Sequence, residues 1–334
     1  MTSSGLNGIT AGSSAISTVG QEGVGLTYRG YSITDLAADS TFEEVAYLLI
    51  YGKLPSQQQL DAYKKKLSGM RALPDALKNL LEALPASTHP MDVLRTGTSL
   101  LGTLESEGEG GRTAVSIGDR LTASFGSMLA YWYRFHSRNE RIETESDEDT
   151  VAGHFLSLMS GNPADPLKRD ALDTTLVLYA EHEFNASTFA ARVIISTLSD
   201  TYSAIAGAIG ALRGPLHGGA NEAAMELVSS FDSPRDAEKS LMHMLAARRL
   251  VMGFGHRVYK NGDPRSPIVK ELAKRLSESD GNMSYFDNSE RDLVHKNAFW
   301  SMPARESVRS LENIGLNRLT ILSGYRSNSH EKEV

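Results

Sequence analysis

The chain has 334 residues, 40% of them hydrophobic, with a formal net charge of -7 and a pI near 5.8. That length buries a substantial core and suits two domains, while the acidic balance excludes a general nucleic-acid binder, which carries a basic face. There is no cysteine, which excludes disulfides, a thiolate nucleophile and thiolate-bound zinc and fits a reducing compartment.

No apolar run is long enough to span a bilayer; the best, residues 194–212, is broken by Ser196, Asp200 and Ser203. The start, MTSSGLNGITAGSSAISTVG, has neither the charged head of a secretory signal nor the arginines of a transit peptide. The expectation is a cytoplasmic protein with no membrane contact.

In chain order, Leu26 to Ser32 is the one stretch that reads as a short strand. Thr41-Phe42-Glu43-Glu44 has capping-box form, and Phe42, Val45, Ala46 and Leu49 then share a helical face that Gly52 and Pro55 end. Leu77, Leu80, Leu81 and Leu84 form a second stripe, closed by Pro85. A longer helix carries Ile117, Leu121, Phe125, Met128 and Trp132. Residues 105–112 and 137–149 are polar, charged and read as surface connections. Residues 199–212, SDTYSAIAGAIGAL, are small enough for close helix approach, which suits a buried helix or a subunit contact equally. The pattern predicts an all-α protein built by helix-on-helix packing.

Nine histidines are present, and six of them have no chemical context. Three sit in unusual surroundings. In RGPLHGGANE, Gly214 and Pro215 break one helix and residues 220–228 begin another. His217 then lies at a helix N-terminus, where the dipole disfavours the imidazolium and a neutral ring can donate to a developing oxyanion. Gly218 and Gly219 there are expected to let a ligand approach the backbone. In LVMGFGHRVYKNGDPR, glycines flank Phe254 ahead of His256, and Asp263-Pro264 fixes a turn before Arg265. A histidine near a guanidinium suits a carboxylate substrate that must also be protonated. In YAEHEFNAST, His182 lies between two acids before an apolar helix, which by itself reads as a capping region. No spacing among these histidines matches a metal-ligand pattern, so no metal is expected.

HEFNAST, GPLHGGANE and GFGHRVYKNGDPR, in this order, resemble the signature segments of the citrate synthase superfamily, as do GLTYRGYSITDLA and THPMDVLRTG. The resemblance runs from about residue 5 to about residue 290. It implies an all-α homodimer with a large helical domain, 1–217, and a smaller closing domain, 218–290. The implied activity joins an acyl-CoA to oxaloacetate, with no tightly bound cofactor. YAEHEFNAST and IGALRGPLHGGANEAAME lean toward the methylcitrate-synthase type, which takes propionyl-CoA as well as acetyl-CoA. The resemblance makes His217 the donor to the thioester carbonyl and His256 the donor to the ketone of oxaloacetate. His182 and Arg265 would hold oxaloacetate, and Leu250, Val251, Met252, Gly253, Phe254 and Gly255 would contact CoA. A non-catalytic homologue that binds CoA or a dicarboxylate is the competing reading.

The C-terminal segment departs from the pattern. The family's third catalytic residue is an Asp in an Asn-x-Asp-aromatic segment well after the second His. Here the last Asp is Asp292, in different surroundings. Glu306, Arg305, Arg309, Arg318 and Arg326 also lie in text that does not match, so no role is carried to them. Residues 291–334 are therefore expected to be an atypical tail, from a frameshift or an alternative end, and turnover is expected to be weak. Translation of the gene's other frames should reveal an Asn-x-Asp-aromatic segment; its absence from all of them would remove the frameshift explanation.

Overall fold

A computed structural model describes residues 12–21, 25–247, 249, 251, 259 and 262–291. Among these residues there are fourteen α-helices and one three-stranded antiparallel sheet, so the all-α expectation holds with a small β addition. The sheet is β1 (Ser17–Gln21), β2 (Gly25–Tyr28) and β3 (Tyr31–Ser32), with Ser17 opposite Tyr28 and Val19 opposite Leu26. Arg29 and Gly30 both have positive φ, as a two-residue hairpin turn between paired Tyr28 and Tyr31 requires. β1 was not legible in the sequence.

Helices α1 (Ile33–Asp39), α2 (Phe42–Tyr51), α3 (Gln57–Ser68) and α4 (Asp75–Ala83) follow. The capping box at Thr41 forms, and Gly52 ends α2 in the left-handed conformation, as its sequence predicts. Next come α5 (Pro90–Leu104), α6 (Ala114–Arg138), α7 (Val151–Ser160) and α8 (Pro166–Tyr179). Leu77 and Leu81 of α4 meet Met91, Leu94 and Leu101 of α5 and Leu121, Met128 and Trp132 of α6 in the larger core. A second core joins Leu26 and Tyr28 of the sheet to Val45 and Leu48 of α2 and Val177 and Leu178 of α8.

The remaining helices are α9 (Ala186–Ile195), α10 (Thr201–Leu212), α11 (Gly219–Ser229), α12 (Pro234–Ala246), α13 (Ser266–Asp280) and α14 (Ser284–Arg291). α10 packs on α5 and α9. A Cβ on Gly102 of α5 would sit 2.7 Å from the Cβ of Tyr202, so glycine is what lets these helices meet. α9 has no fully buried side chain, and Val193, Ile195 and the following Leu198, 95% exposed, face outward.

The connection after α6 is not the simple surface loop that its charge suggests. Thr144 is buried, and the Arg71 guanidinium donates to the carbonyls of Ser146 (3.0 Å), Glu148 (2.6 Å) and Thr150 (3.2 Å). Beneath it, the Ser127 hydroxyl donates to the Thr144 carbonyl, so His154 Nε2–H must donate to Ser127 and the Ser146 hydroxyl to His154 Nδ1. Burial, and then the charge of Arg71, push His154 down to about 3. An unfolded histidine takes up its proton near pH 6.5, so this site's contribution is full above that pH and is lost as pH falls toward 3.

Two buried carboxylates work in the opposite direction. Asp173 of α8 accepts the amide of Phe42 at 3.0 Å, and Glu43 of α2 accepts that of Val151 at 2.7 Å, so each satisfies the N-terminus of a neighbouring helix. Burial, and then the charge of Glu43, raise Asp173 to about 7. The native state holds this proton between about pH 3.8 and 7 while the unfolded chain does not, so stability falls as pH rises through that window. Asp173→Asn keeps the acceptor without the charge. Denaturant titrations should show the variant gaining on the parent chain by on the order of 2 kcal/mol between about pH 5 and pH 8. An unchanged difference at the two pH values would refute the assignment.

Candidate active site

His217 lies in the turn between α10 and α11, one residue before the helix cap Gly218, as its sequence predicts. The turn is closed by its own backbone: His217 N–H donates to Gly214 (2.9 Å), Gly218 N–H to Leu212 (3.0 Å) and Ala220 N–H to His217 (3.1 Å). A Cβ on Gly218 would stand 2.6 Å from the Leu212 carbonyl oxygen, and one on Gly219 3.1 Å from that of Gly214. The chain's own tight turn therefore accounts for glycine at both positions.

The imidazole is 5% exposed, and its partners fix its protonation. Ser187 N–H donates to His217 Nε2 at 3.1 Å, and the Ser187 hydroxyl lies 2.9 Å from the same nitrogen. A backbone amide can only donate, so Nε2 carries a lone pair and the ring proton sits on Nδ1. The helix dipole of α11 works the same way, since its positive end disfavours a second proton. The ring is thus a neutral Nδ1–H donor.

Ser187 is positioned by Asn185, the cap of α9, whose Oδ1 accepts the Thr188 amide (2.9 Å) and lies 2.7 Å from the Ser187 hydroxyl oxygen. The capping reading of YAEHEFNAST is correct, and the cap is also what aims an amide at His217. The serine's role was not legible, because its partner is thirty positions away in sequence.

His182 precedes this cap and is held through its neighbours. Ser17 of β1 donates to Glu181 Oε1 (3.1 Å) and accepts the Glu183 amide (2.9 Å), while Tyr28 Oη accepts the Glu181 amide (3.3 Å). The sheet thus pins the segment around His182, and Glu183 adopts a positive φ there. Burial pushes the Glu181 and Glu183 carboxyls above the usual range. The His182 ring meets Tyr259 edge-on at 5.7 Å.

Arg265 caps the start of α13 and is 2% exposed. Its Nε and Nη2 donate to Asp263 Oδ1 (3.0 Å) and Oδ2 (2.7 Å), and its guanidinium lies 5.3 Å from the Tyr179 ring at the end of α8. The turn expected at Asp263-Pro264 is present, with Ser266 N–H donating to the Asp263 carbonyl (3.0 Å). That Asp263 is also the ion-pair partner was not read from the sequence.

The structure therefore brings His182 and Arg265 to the end of α8 and links His217 to the same segment through Ser187. His256 and Leu250, Met252, Gly253, Phe254 and Gly255 lie outside the described residues; Val251 is described and buried. No group of three or more His, Asp or Glu among the described residues could hold a metal. A shallow polar cleft of about 560 Å³, with Lys64, Glu148, Asp149 and Arg169 in its wall, shares no residue with this site.

A largely helical scaffold that ties a neutral histidine donor to the segment carrying a second histidine, with a buried guanidinium at the end of α8, suits the class of enzymes that handle carbonyl and carboxylate groups. The chain belongs to the citrate synthase family: the description "citrate synthase, C-terminal domain" matches residues 5–296. It is 54% identical over 282 residues to a 2-methylcitrate synthase of Shewanella oneidensis, covering 84% of this chain and 75% of that protein. It is 39% identical to citrate synthase 2 of Bacillus subtilis, over 87% of this chain and 78% of that one. Its fold matches a Thermoplasma acidophilum citrate synthase solved in ternary complex with carboxymethyl coenzyme A and oxaloacetate. The TM-score is 0.86 and the identity 30%, over 97% of this chain and 89% of that one.

Nitrogen NMR of protein labelled in its histidines should show His217 neutral at pH 7 with Nε2 unprotonated; a protonated Nε2 would overturn the assignment. Arg265→Ala, which strands the buried Asp263 charge, should destabilise the fold by about 3–5 kcal/mol in denaturant titrations.

Proposed function

We infer that the chain condenses propionyl-CoA or acetyl-CoA with oxaloacetate, releasing 2-methylcitrate or citrate and free CoA. The single observation that carries this reading is the neutral Nδ1–H donor at His217, held by an amide that cannot accept. Its proton stabilises the negative charge that develops on the thioester carbonyl oxygen as the acyl α-carbon loses its proton. The resulting enol attacks the ketone carbon of oxaloacetate, and His256 gives a proton to the ketone oxygen. Water then cleaves the thioester, which makes condensation effectively irreversible.

His182 and Arg265 hold the carboxylates of oxaloacetate in this reading, with residues 250–255 against CoA. Asp263 keeps the guanidinium fixed before substrate arrives. Residues 218–290 form the smaller domain, which closes over the substrates, and no tightly bound cofactor takes part. The exposed Val193, Ile195 and Leu198 are the surface on which a second copy would pack, making a homodimer. The protein acts in the cytoplasm. Propionyl-CoA and acetyl-CoA differ by one methylene, worth about 1–3 kcal/mol in a pocket, so both are accepted, with propionyl-CoA preferred.

Removing the α-proton calls for a carboxylate base, and the family motif that supplies it has no match in residues 287–334. Loss of such a base typically slows turnover by about 10²–10⁴-fold. The test follows free-thiol release from each acyl-CoA with oxaloacetate; the chain contributes no thiol background. Release is expected to be faster with propionyl-CoA and lowered about 10²–10³-fold by His217→Gln. Absence of release from a folded chain that binds oxaloacetate would refute the catalytic reading.

A further inference from the structure

We propose that His89, in the cap of α5, is a positioning residue for His217 and acts through Glu222 of α11. The proposal rests on His217 being the donor to the thioester carbonyl. His89 Nδ1 accepts the amide of Met91 at 3.1 Å, so the ring proton lies on Nε2 and is donated to Glu222 Oε2 at 3.1 Å. Both side chains are largely withdrawn from water, and a hydrogen bond to a carboxylate is stronger there than at the surface.

The tie falls on the α11 side of the His217 turn. On the α10 side the turn has no slack, because Gly218 already lies against the Leu212 carbonyl. On the α11 side, Gly218 offers no side-chain cap to the helix that follows. The His217 carbonyl accepts the amide of Ala220, so any rotation of the first turn of α11 carries His217 with it. Glu222, in that first turn, fixes the rotation by reaching α5. A second, weaker link joins the same turn of α5 to the other flank: Asp92 Oδ2 lies 3.6 Å from Arg213 Nε at the end of α10. The start of α5 thus holds the His217 turn from both sides, which keeps Nε2 facing the amide of Ser187.

Three variants separate this role from the capping of α5. His89→Asn keeps a cap for the Met91 amide but is too short to reach Glu222. Glu222→Ala removes the acceptor, and Glu222→Gln restores one. Thiol release at saturating substrate should fall about 10- to 100-fold in His89→Asn and Glu222→Ala, with KM for oxaloacetate within about twofold of the parent. Glu222→Gln should stay close to the parent, and the His217 nitrogen signals should shift only in the two impaired variants. Unchanged His217 signals in folded His89→Asn and Glu222→Ala would overturn the proposal, as would Glu222→Gln failing to rescue. The signals are read on the resting protein, so they decide the tie even if the parent releases no thiol. That last result would count against the catalytic reading alone.

Discussion

The amide of Ser187 pointing at Nε2 of His217 is the contact on which the proposed chemistry depends. A histidine near its ordinary pKa is a mixture of charged and neutral forms at neutral pH. A donor that cannot accept removes the mixture, because a proton on Nε2 would face another proton. In the proposed reaction the ring then donates from Nδ1 without reorganisation as charge develops on a substrate oxygen. The contact needs α9 to start at Asn185 and α11 to start after Gly218, and it needs both helices to be held in place.

Those helices are held by two different kinds of support. α10 brings its small side chains against α5 and α9, and steric contact sets the spacing; Gly102 against Tyr202 shows how little room remains. The segment around His182 is instead held by hydrogen bonds to the sheet, through Ser17 and Tyr28. Burial raises the Tyr28 hydroxyl well above its usual range, which keeps it a neutral donor to Leu178 while it accepts the Glu181 amide. The three strands are small in extent, but they fix the approach to the site.

Farther from the site, buried charges are used at helix ends. Asp173 and Glu43 each accept an amide that the helix itself leaves unsatisfied, and Arg71 gathers three carbonyls of the connection after α6. Such groups cost desolvation, and the cost is offset only where their hydrogen bonds are made. His154 and Asp173 respond to pH in opposite directions over windows that overlap between about pH 3.8 and 6.5, so their contributions largely offset each other there.

The sequence alone determined the helical class, the capping box at Thr41, the left-handed end at Gly52 and the long α6 stripe, because these depend on residues within a few positions of one another. It also located His217 before a helix and marked His182, His256 and Arg265 by their local motifs, with the family resemblance supplying their order. Only the tertiary structure decided the Ser187 contact, the anchoring of His182 by Ser17, the reach of His89 to Glu222 and the burial of Thr144. Each of these joins groups far apart in the chain. A weak, short strand such as β1 leaves little pattern, since its stability comes from the partner it pairs with. Local periodicity records which face of a helix is buried; it does not record which distant amide that burial brings to a histidine.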